Sequence, residues 1–303
     1  MPPVADAFLN AHLNLQWLRP ESAVCDAVAS ELIAKCQFDR PCLDLGCGNG
    51  LFSFVTAGGT FIEYYDWYRN AEPRQPDMYD AVRMLPRPAW VARRPTYGMT
   101  VGFDVKESLL MQAAALNFYD EVRLGDANRP LPFADETFAT VFSNILSWVT
   151  NAPGTLTEIF RALRRGGRAA LCLPTERFAE YCISYRWREQ ESTLLKLLNG
   201  GRADTMQWCL PWAELGQLVR RVGFRVIDRL EYWSPLTARV WDISLRPLSP
   251  VLVSLVGRLG ETERAAAKRD WIEIVRPLGV ELLALERAST APGAYQLLYL
   301  ERP

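Results

Sequence analysis

The chain has 303 residues, 49% of them hydrophobic, which is typical of a globular protein with a sizeable core. Its 34 basic and 35 acidic residues leave a formal net charge of -1, so no nucleic acid is expected as a partner. Its seven cysteines are an odd number with no metal-site spacing, which predicts reduced thiols, no metal, and a cytoplasmic location.

Strand-like and helix-like segments alternate along the chain. Residues 1–38 are predicted to be mainly helical. The predicted strands are 43–45, 101–104, 121–126, 138–144, 168–174, 225–233 and 294–302. Because helical segments lie between most of these strands, the pattern predicts an α/β fold: a parallel sheet with helices on both faces.

Three stretches are longer than ordinary connections, and they set the expected organisation. We expect an N-terminal helical lid segment (1–38), a core (39–233) with inserts at 60–99 and 175–210, a helical insert (234–290) and a final strand (291–303). Connections that leave the carboxyl ends of parallel strands supply the walls of ligand sites. The helical inserts are therefore predicted to form a lid over the substrate.

The stretch CLDLGCGNG (42–50) places three glycines directly behind the first predicted strand. Such a turn lets backbone N–H groups and a helix N-terminus face a polar or anionic ligand, although tight strand-to-helix packing would also need glycine. The spacing is GxGxG, with Leu51 where a dinucleotide fingerprint has its third glycine. This difference disfavours a nicotinamide cofactor.

Two acidic residues stand at the ends of later predicted strands. Asp104 closes VGFD and Asp126 follows in EVRLGD. A carboxylate at a strand end can accept hydrogen bonds from both hydroxyls of a ribose. Acids at two successive strand ends therefore favour a nucleoside ligand.

Five motifs in order, DLGCGNG, FDV, GDA, LPFADETFATVFSN and EIFRALRRGG, resemble the class I S-adenosylmethionine-dependent methyltransferases. The similarity lies in the broad branch that includes quinone C-methyltransferases and many natural-product enzymes, and it covers about residues 40–175. It implies a Rossmann-like doubly wound sheet. It also implies S-adenosylmethionine as methyl donor and S-adenosylhomocysteine as product.

The same resemblance assigns the cofactor contacts. It implies that Asp44 and the backbone of the glycine turn hold the methionine part, that Asp104 binds the ribose diol, and that Val105 packs on the adenine. The remaining implied residues are Asp126 and Ala127 at the adenine edge, Ser143 and Asn144 near the methyl group, and, within the turn, Gly46, Cys47, Gly48, Asn49 and Gly50.

The insert from Thr60 to Met99 departs from the family, because it separates the glycine turn from Asp104 by more residues than usual. It leaves Glu63 and Asp66 as rival ribose acids at about the ordinary spacing. The segment YYDWYRN lacks the strand, acid and helix context of VGFDVKESLLMQA, so Asp104 is preferred.

The residues that would act on the acceptor are less well indicated. His12 is the only histidine, and it is the candidate general base, with a structural role as the alternative. Trp148, Tyr181 and Tyr185 are predicted to line the pocket of a small aromatic or lipophilic acceptor, although both tyrosines also fit a helix packing face. The aromatic run YYDWY (64–68) is expected to supply a further wall of this pocket.

Other functions stay open from the sequence. The run SNILSW (143–148) is faintly similar to carboxyl O-methyltransferases, a protein acceptor is an alternative, and so is a cofactor-binding protein without turnover. The apolar run PVLVSLVGRL (250–259) is too short to span a bilayer. We expect it to pack on the C-terminal segment, with peripheral membrane contact as the alternative.

Overall fold

The computed structural model describes residues 4–69, 71, 84–183 and 208–303. Its strands are β1 (Cys42–Leu45), β2 (Thr60–Phe61), β3 (Val91–Arg93), β4 (Met99–Asp104), β5 (Tyr119–Leu124), β6 (Phe138–Ser143), β7 (Leu163–Pro174), β8 (Arg225–Tyr232) and β9 (Tyr295–Glu301). Its α-helices are α1 (Val4–Leu15), α2 (Pro20–Ile33), α3 (Leu51–Thr56), α4 (Glu107–Ala115), α5 (Ala152–Ala162), α6 (Glu176–Tyr181), α7 (Trp212–Val222), α8 (Pro235–Ile243), α9 (Ser249–Val256) and α10 (Glu261–Ala288).

Seven strands form the central sheet, in the order β5-β4-β1-β6-β7-β9-β8. The pairings from β5 to β7 are all parallel, so the predicted Rossmann-like sheet is confirmed. β9 is the exception, because it lies between β7 and β8 and runs antiparallel to both. The strand-helix rhythm did not indicate this reversal, since the apolar pattern of a strand does not encode its direction.

Helices cover both faces of the sheet and bury two apolar clusters. One cluster joins the sheet to α1, α2, α3 and α10, and the other joins it to α5 and α7. β1 lies inside the sheet between β4 and β6, and all four of its residues are buried. A short strand covered on both faces reads as a continuous apolar run, and the buried Asp44 inside it is therefore conspicuous.

Local sequence sets where several helices begin. The side chain of Asn151 accepts from Gly154 N at the start of α5, Thr175 accepts from Arg177 N at the start of α6, and Ser234 accepts from Thr237 N at the start of α8. These N-caps satisfy donors that the first helical turn leaves unpaired.

The described parts of the insert after α3 pack on the body of the protein. β2 and β3 pair as a small antiparallel sheet that the sequence did not predict. Beyond β2, Lys268 of α10 donates to Asn14 Oδ1 and to the carbonyl oxygens of Glu63 and Tyr65. The described start of the insert is thereby held between α1 and α10.

This packing corrects one expectation about the aromatic run YYDWY (64–68). Tyr65, Trp67 and Tyr68 are buried in the core cluster, and the Tyr65 ring stacks on Phe61 at 4.3 Å. Tyr64 is exposed. Most of this run therefore contributes to the core rather than to an open wall for a flat acceptor.

Candidate cofactor-binding site

The glycine turn lies at the carboxyl edge of the sheet, between the ends of β4 and β6. Gly46, Gly48 and Gly50 have φ values of 81°, 54° and 74°, which favour glycine. A Cβ on Gly46 would lie 2.2 Å from Ile145, which follows β6. The turn therefore needs glycine both for its backbone angles and for its close approach to the neighbouring loop.

Hydrogen bonds join this turn to the end of β4. The amides of Gly46 and Cys47 donate to the carbonyl of Phe103, at 2.7 Å and 3.1 Å. The amide of Gly48 donates to Asp104 Oδ2 at 2.9 Å. Two motifs that are 56 positions apart in sequence are thus in direct contact across the insert.

Asp104 has the free acceptor capacity that a diol requires. Its Oδ2 accepts from Gly48 N and its Oδ1 from Lys106 N, each at 2.9 Å. A carboxylate offers about four acceptor positions, so two remain open among the described residues. The next residue, Val105, is 62% exposed, as suits a side chain that packs on a flat ligand.

Asp126 lies beside this pair, because the amide of Gly125 donates to the Asp104 carbonyl at 2.9 Å. Asp126 Oδ1 accepts from both nitrogens of Asn128, each at 2.8 Å, and Ala127 is buried. The Asn128 side chain in turn accepts from Thr150 N. The predicted adenine-edge residues are therefore fixed next to the predicted ribose acid.

Asn49 supplies an observation that points to a ligand. It is buried, and its Oδ1 accepts from the amide of Leu51. Its Nδ2 has no hydrogen-bond partner among the described residues. A buried donor without a partner is costly, so this amide fits a bound carboxylate or another acceptor.

Asp44 is held beneath the turn rather than open to a ligand. It is buried, and its Oδ2 accepts from Ser53 Oγ at 2.6 Å and from the Tyr119 hydroxyl at 2.7 Å. Burial raises the pKa of Asp44 to about 6, against the opposing effect of these two hydrogen bonds. The geometry favours an indirect role, in which Asp44 joins β1, α3 and β5 below the glycine turn.

Ser53 and Tyr119 are therefore residues that the sequence analysis missed. Tyr119 begins β5, and a Cβ on Gly102 would lie 3.0 Å from its ring. Only the packing of β4 against β5 shows that the ring crosses Gly102 to reach Asp44. Ser53 offered a weak signal, as a hydroxyl within the apolar stretch LFSFV.

Ser143 and Asn144 follow β6 as predicted, and they differ in environment. Ser143 is fully buried and donates to the carbonyl of Leu45 at 2.9 Å, which ties β6 to β1. Asn144 is half-buried in the loop beyond. Of the two, Asn144 is the better candidate for a ligand contact.

His12 lies in the core of the protein. It is 1% exposed, its Nε2 is 2.9 Å from Ser30 Oγ, and its ring stacks on Phe52. Burial lowers the pKa of His12 to about 3, so the ring is neutral at physiological pH. This environment favours the structural alternative over the general base.

The predicted acceptor residues are only partly described. Trp148 is 56% exposed in the loop after β6. Tyr181 is half-buried at the end of α6 and donates to the carbonyl of Pro292 at 2.9 Å. Tyr185 lies outside the described residues, so the structure brings no complete acceptor pocket together.

The rival ribose acid Asp66 is buried and bonded to residues away from the glycine turn. Asp66 Oδ2 accepts from Arg264 Nε at 2.5 Å, and its Oδ1 accepts from Trp17 Nε1 and Tyr68 N at 3.0 Å. The pair with Arg264 is buried. Glu63 is exposed. Asp104 therefore keeps its place as the predicted ribose ligand.

A separate cavity of about 520 Å³ lies at the β8–β9 edge of the sheet. It is lined by Lys35, Gln37, Arg168, Arg225, Val226, Ile227, Tyr299 and Glu301. None of these residues belongs to the site around the glycine turn.

Known proteins support the same fold. Residues 88–171 match the family model described as a methyltransferase domain. The solved structure of the [4+2]-cyclase SpnF superposes with a TM-score of 0.50 and 16% identity, covering 94% of this chain and 82% of that one. The chain therefore has a Rossmann-like fold, and its residues 88–171 are similar to a methyltransferase domain.

Two further similarities cover either a smaller part of the chain or the fold alone. A demethylmenaquinone methyltransferase from Symbiobacterium thermophilum is 34% identical over 104 residues, which are 30% of this chain and 40% of the relative. The match thus spans less than half of that relative. A SAM-dependent methyltransferase from Thermotoga maritima superposes with a TM-score of 0.46 and 14% identity, covering 92% of this chain and 91% of that one.

Proposed function

We propose that the chain binds S-adenosylmethionine at the carboxyl edge of β1, β4 and β5 and transfers its methyl group to a small lipophilic acceptor. The observation that carries this proposal is the contact between the glycine turn and Asp104, whose carboxylate keeps two acceptor positions open within the described part of the chain. The unpartnered Asn49 amide and the exposed Val105 support it, because each lacks a partner that a nucleoside with an amino acid tail would supply.

Several residues of the chain would hold the cofactor. Asp104 would accept from the ribose hydroxyls, Val105 would pack on the adenine, and Asn49 would donate to the methionine carboxylate. When bound, S-adenosylmethionine supplies a methyl group on a positively charged sulfur, which an acceptor atom takes in one displacement. Asp44, Ser53 and Tyr119 would act as positioning residues that fix the turn from below.

The described residues favour catalysis by positioning. His12, the only histidine of the chain, is neutral and buried. Holding two reactants in contact is worth an effective concentration of roughly 10⁵ to 10⁸ M, so positioning can supply much of the rate. The proton that a quinol acceptor loses when it takes the methyl group would pass to water. We infer that the chain's main contribution is to align the acceptor and exclude water.

The lipophilic acceptor is inferred from two features. Trp148 presents a half-exposed indole in the loop that contacts the glycine turn through Ile145. A partial relative is named a demethylmenaquinone methyltransferase, which indicates a quinol-like acceptor as the first compound to test. The seven free thiols support the cytoplasmic location that we include in the proposal.

A binding protein without methyl transfer is the second candidate. It is favoured by one observation: the superposed structure with a TM-score of 0.50 is named a cyclase, so the fold alone does not fix the reaction. The two candidates differ in whether labelled methyl leaves the cofactor.

The deciding experiment incubates the purified chain with methyl-labelled S-adenosylmethionine and a reduced prenylated naphthoquinone, followed by organic extraction. We expect labelled product that gains one methylene in mass. Trp148→Ala should raise the KM for the acceptor while cofactor affinity stays within about twofold. Cofactor binding without product across quinols, phenols and carboxylates would instead establish the second candidate.

A further inference from the structure

The cavity at the β8–β9 edge is lined by more positive than negative side chains. Lys35, Arg168 and Arg225 are the cations of its lining, and Glu301 is the only acid among the described residues that line it. Its volume of about 520 Å³ falls within the range of small-molecule sites. The cavity therefore combines the size of a ligand site with an excess of positive charge.

Arg168 has an unusual position for a charged residue, because it lies on β7, inside the sheet. In the register of the strands it is opposite Thr140 of β6 and Glu301 of β9. Strands inside a sheet are normally apolar, and a charged side chain there usually has an ionic partner. The Glu301 carboxylate bonds to Arg225 Nη2 at 2.5 Å, however, and no described acid lies within ion-pair distance of Arg168.

The hydrogen-bond donors of Arg168 are also only partly used. Its Nη1 donates to Gln37 Oε1 at 2.8 Å, which is its only side-chain hydrogen bond within the described residues. Its Nε is buried without a partner there, and so is the hydroxyl of Tyr299, which lines the same cavity. Buried donors without a partner are costly. A guanidinium with an unused edge can bind two oxygens of one oxyanion.

The acids closest to the cavity in sequence and structure have partners of their own. Asp39 accepts from Gln37 Nε2 at 2.9 Å and 2.8 Å, and Asp228 accepts from the amide of Arg229 at 2.7 Å. Lys35 forms no ion pair within the part of the chain that the structure describes. An anion that enters the cavity would therefore displace no acid from this lysine.

A β-bulge shapes the apolar side of the cavity. The register of β8 against β9 shifts between Val226 and Asp228, so Ile227 is the extra residue of the bulge. Ile227 is 43% exposed and lines the cavity together with Val226. Two aliphatic side chains beside the cations suit a ligand whose anionic group is attached to an apolar body.

We propose that this cavity binds a phosphate monoester with an apolar body. The Arg168 guanidinium would bind two phosphoryl oxygens, and Lys35 and the Tyr299 hydroxyl would donate to the same group. Ile227 would contact the apolar body. A phosphoryl group fits these donors better than a carboxylate, because it has three terminal oxygens and a charge of about -1.5 to -2 at neutral pH.

The cavity lies at the other end of the strands from the proposed cofactor site. Arg225 begins β8 and Glu301 ends β9. Because β7 and β8 both run antiparallel to β9, these residues lie toward the amino ends of β7 and β8. S-adenosylmethionine is proposed to bind at the carboxyl edge of the sheet. The two ligands should therefore bind without competition, and binding in the cavity requires no methyl transfer.

Titration calorimetry with phenyl phosphate tests the proposal, both with and without saturating S-adenosylhomocysteine, so the result does not depend on cofactor binding. Phenyl phosphate should bind about tenfold or more tightly than inorganic phosphate, which lacks the body, and than benzoate, which lacks the phosphoryl group. Equally tight binding of either compound would overturn the proposed ligand class. Absence of phenyl phosphate binding, or its displacement by S-adenosylhomocysteine, would overturn the site.

Variants of Arg168 test the proposed contact. Arg168→Ala should weaken phenyl phosphate binding by about 10- to 100-fold, because it removes hydrogen bonds to a charged group. Arg168→Lys should weaken it less, since the charge remains and only the fork is lost. The matched control is Arg165→Ala, because the Arg165 side chain is 82% exposed and does not line the cavity. The control should bind as the wild type does, and an equal loss in it would overturn the proposal.

Tyr299→Phe separates ligand binding from stability. It removes only the hydroxyl, which is buried without a partner among the described residues. The free energy of unfolding should therefore stay equal or rise, while phenyl phosphate binding weakens by about threefold or more. A less stable variant that binds phenyl phosphate as tightly as the wild type would overturn the role of this hydroxyl in the site.

Discussion

At the scale of single residues, Asp104 is the group on which the cofactor site depends most. Its carboxylate already holds the glycine turn through Gly48 N, and its remaining acceptor positions are proposed to hold the ribose. Asp104 therefore joins the shape of the turn to the recognition of the ligand.

Asp104→Ala should weaken the binding of S-adenosylhomocysteine by about 10- to 100-fold, because hydrogen bonds to a charged group contribute roughly 1.5 to 3 kcal/mol. Isothermal titration calorimetry measures this change. Glu63→Ala, at the exposed rival acid, is the control and should stay within about twofold of wild type. The reverse pattern would transfer the ribose role to Glu63.

Asp44 gives the site a dependence on pH. Burial raises its pKa to about 6, so the ionised form is less favourable in the folded protein than in the unfolded chain. The contribution of this group to stability is complete below its unfolded pKa of about 4, and it is lost as the pH rises through about 6.

Asp44→Asn removes this titration and keeps an oxygen that accepts from Ser53 and Tyr119. We expect the variant to gain stability relative to wild type by about 2 kcal/mol between pH 4 and pH 7. Urea unfolding at the two pH values measures the difference. A constant difference between the two proteins would show that Asp44 does not titrate in this range.

His12→Gln tests whether the buried ring has a catalytic role. Glutamine can keep a hydrogen bond to Ser30, and the neutral histidine has no charge to lose. Maximal turnover should stay within about tenfold of wild type, whereas loss of a general base lowers it by roughly 10² to 10⁴. A loss in that larger range with unchanged cofactor affinity would restore His12 as the base.

At the scale of elements, the insert is fixed by a buried polar cluster. The Asp66 carboxylate accepts hydrogen bonds from Trp17, which lies between α1 and α2, from Tyr68 of the insert and from Arg264 of α10. Breaking a buried ion pair leaves an uncompensated charge, whereas an exposed pair contributes little.

Asp66→Ala should therefore lower the free energy of unfolding by about 3 to 5 kcal/mol. The control is Glu261→Ala, which breaks the exposed pair with Arg69 and should cost at most about 1 kcal/mol. Chemical unfolding of both variants measures the contrast. Equal stability of the two variants would mean that the insert is not anchored by Asp66.

Sequence reasoning located the elements of the sheet because each carries its own local signal. The strand ending in Asp104, the glycine turn and the helical N-terminus were all predicted from short-range patterns, and their contacts agree. The direction of β9 and the reach of Tyr119 to Asp44 depend on how distant strands pair. No local pattern of residues encodes such pairing.

The aromatic run of the insert also shows that local patterns do not predict burial. YYDWY was expected to line a pocket because aromatic side chains suit a flat ligand. The partners that bury Tyr65 and its neighbours, Lys268 and Arg264, come about 200 positions later in the chain. A residue's chemistry predicts what it can contact, whereas its burial depends on distant helices.

At the scale of the whole molecule, the fold brings the candidate ligand residues of β1, β4, β5 and β6 to one edge of the sheet. None of the described helices is long and apolar enough to cross a bilayer. The domain roles of residues 1–38 and of the two inserts as a lid stay predictions.

The proposed function depends on the binding of one ligand, and titration calorimetry of the purified chain with S-adenosylhomocysteine tests that binding most directly. The product lacks the positive sulfur but keeps the ribose, adenine and amino acid groups, so it should bind at micromolar concentration and at least as tightly as S-adenosylmethionine. Saturable heat with a stoichiometry of about one per chain is the predicted result. The absence of heat for both compounds, from a protein shown to be folded, would contradict the central claim.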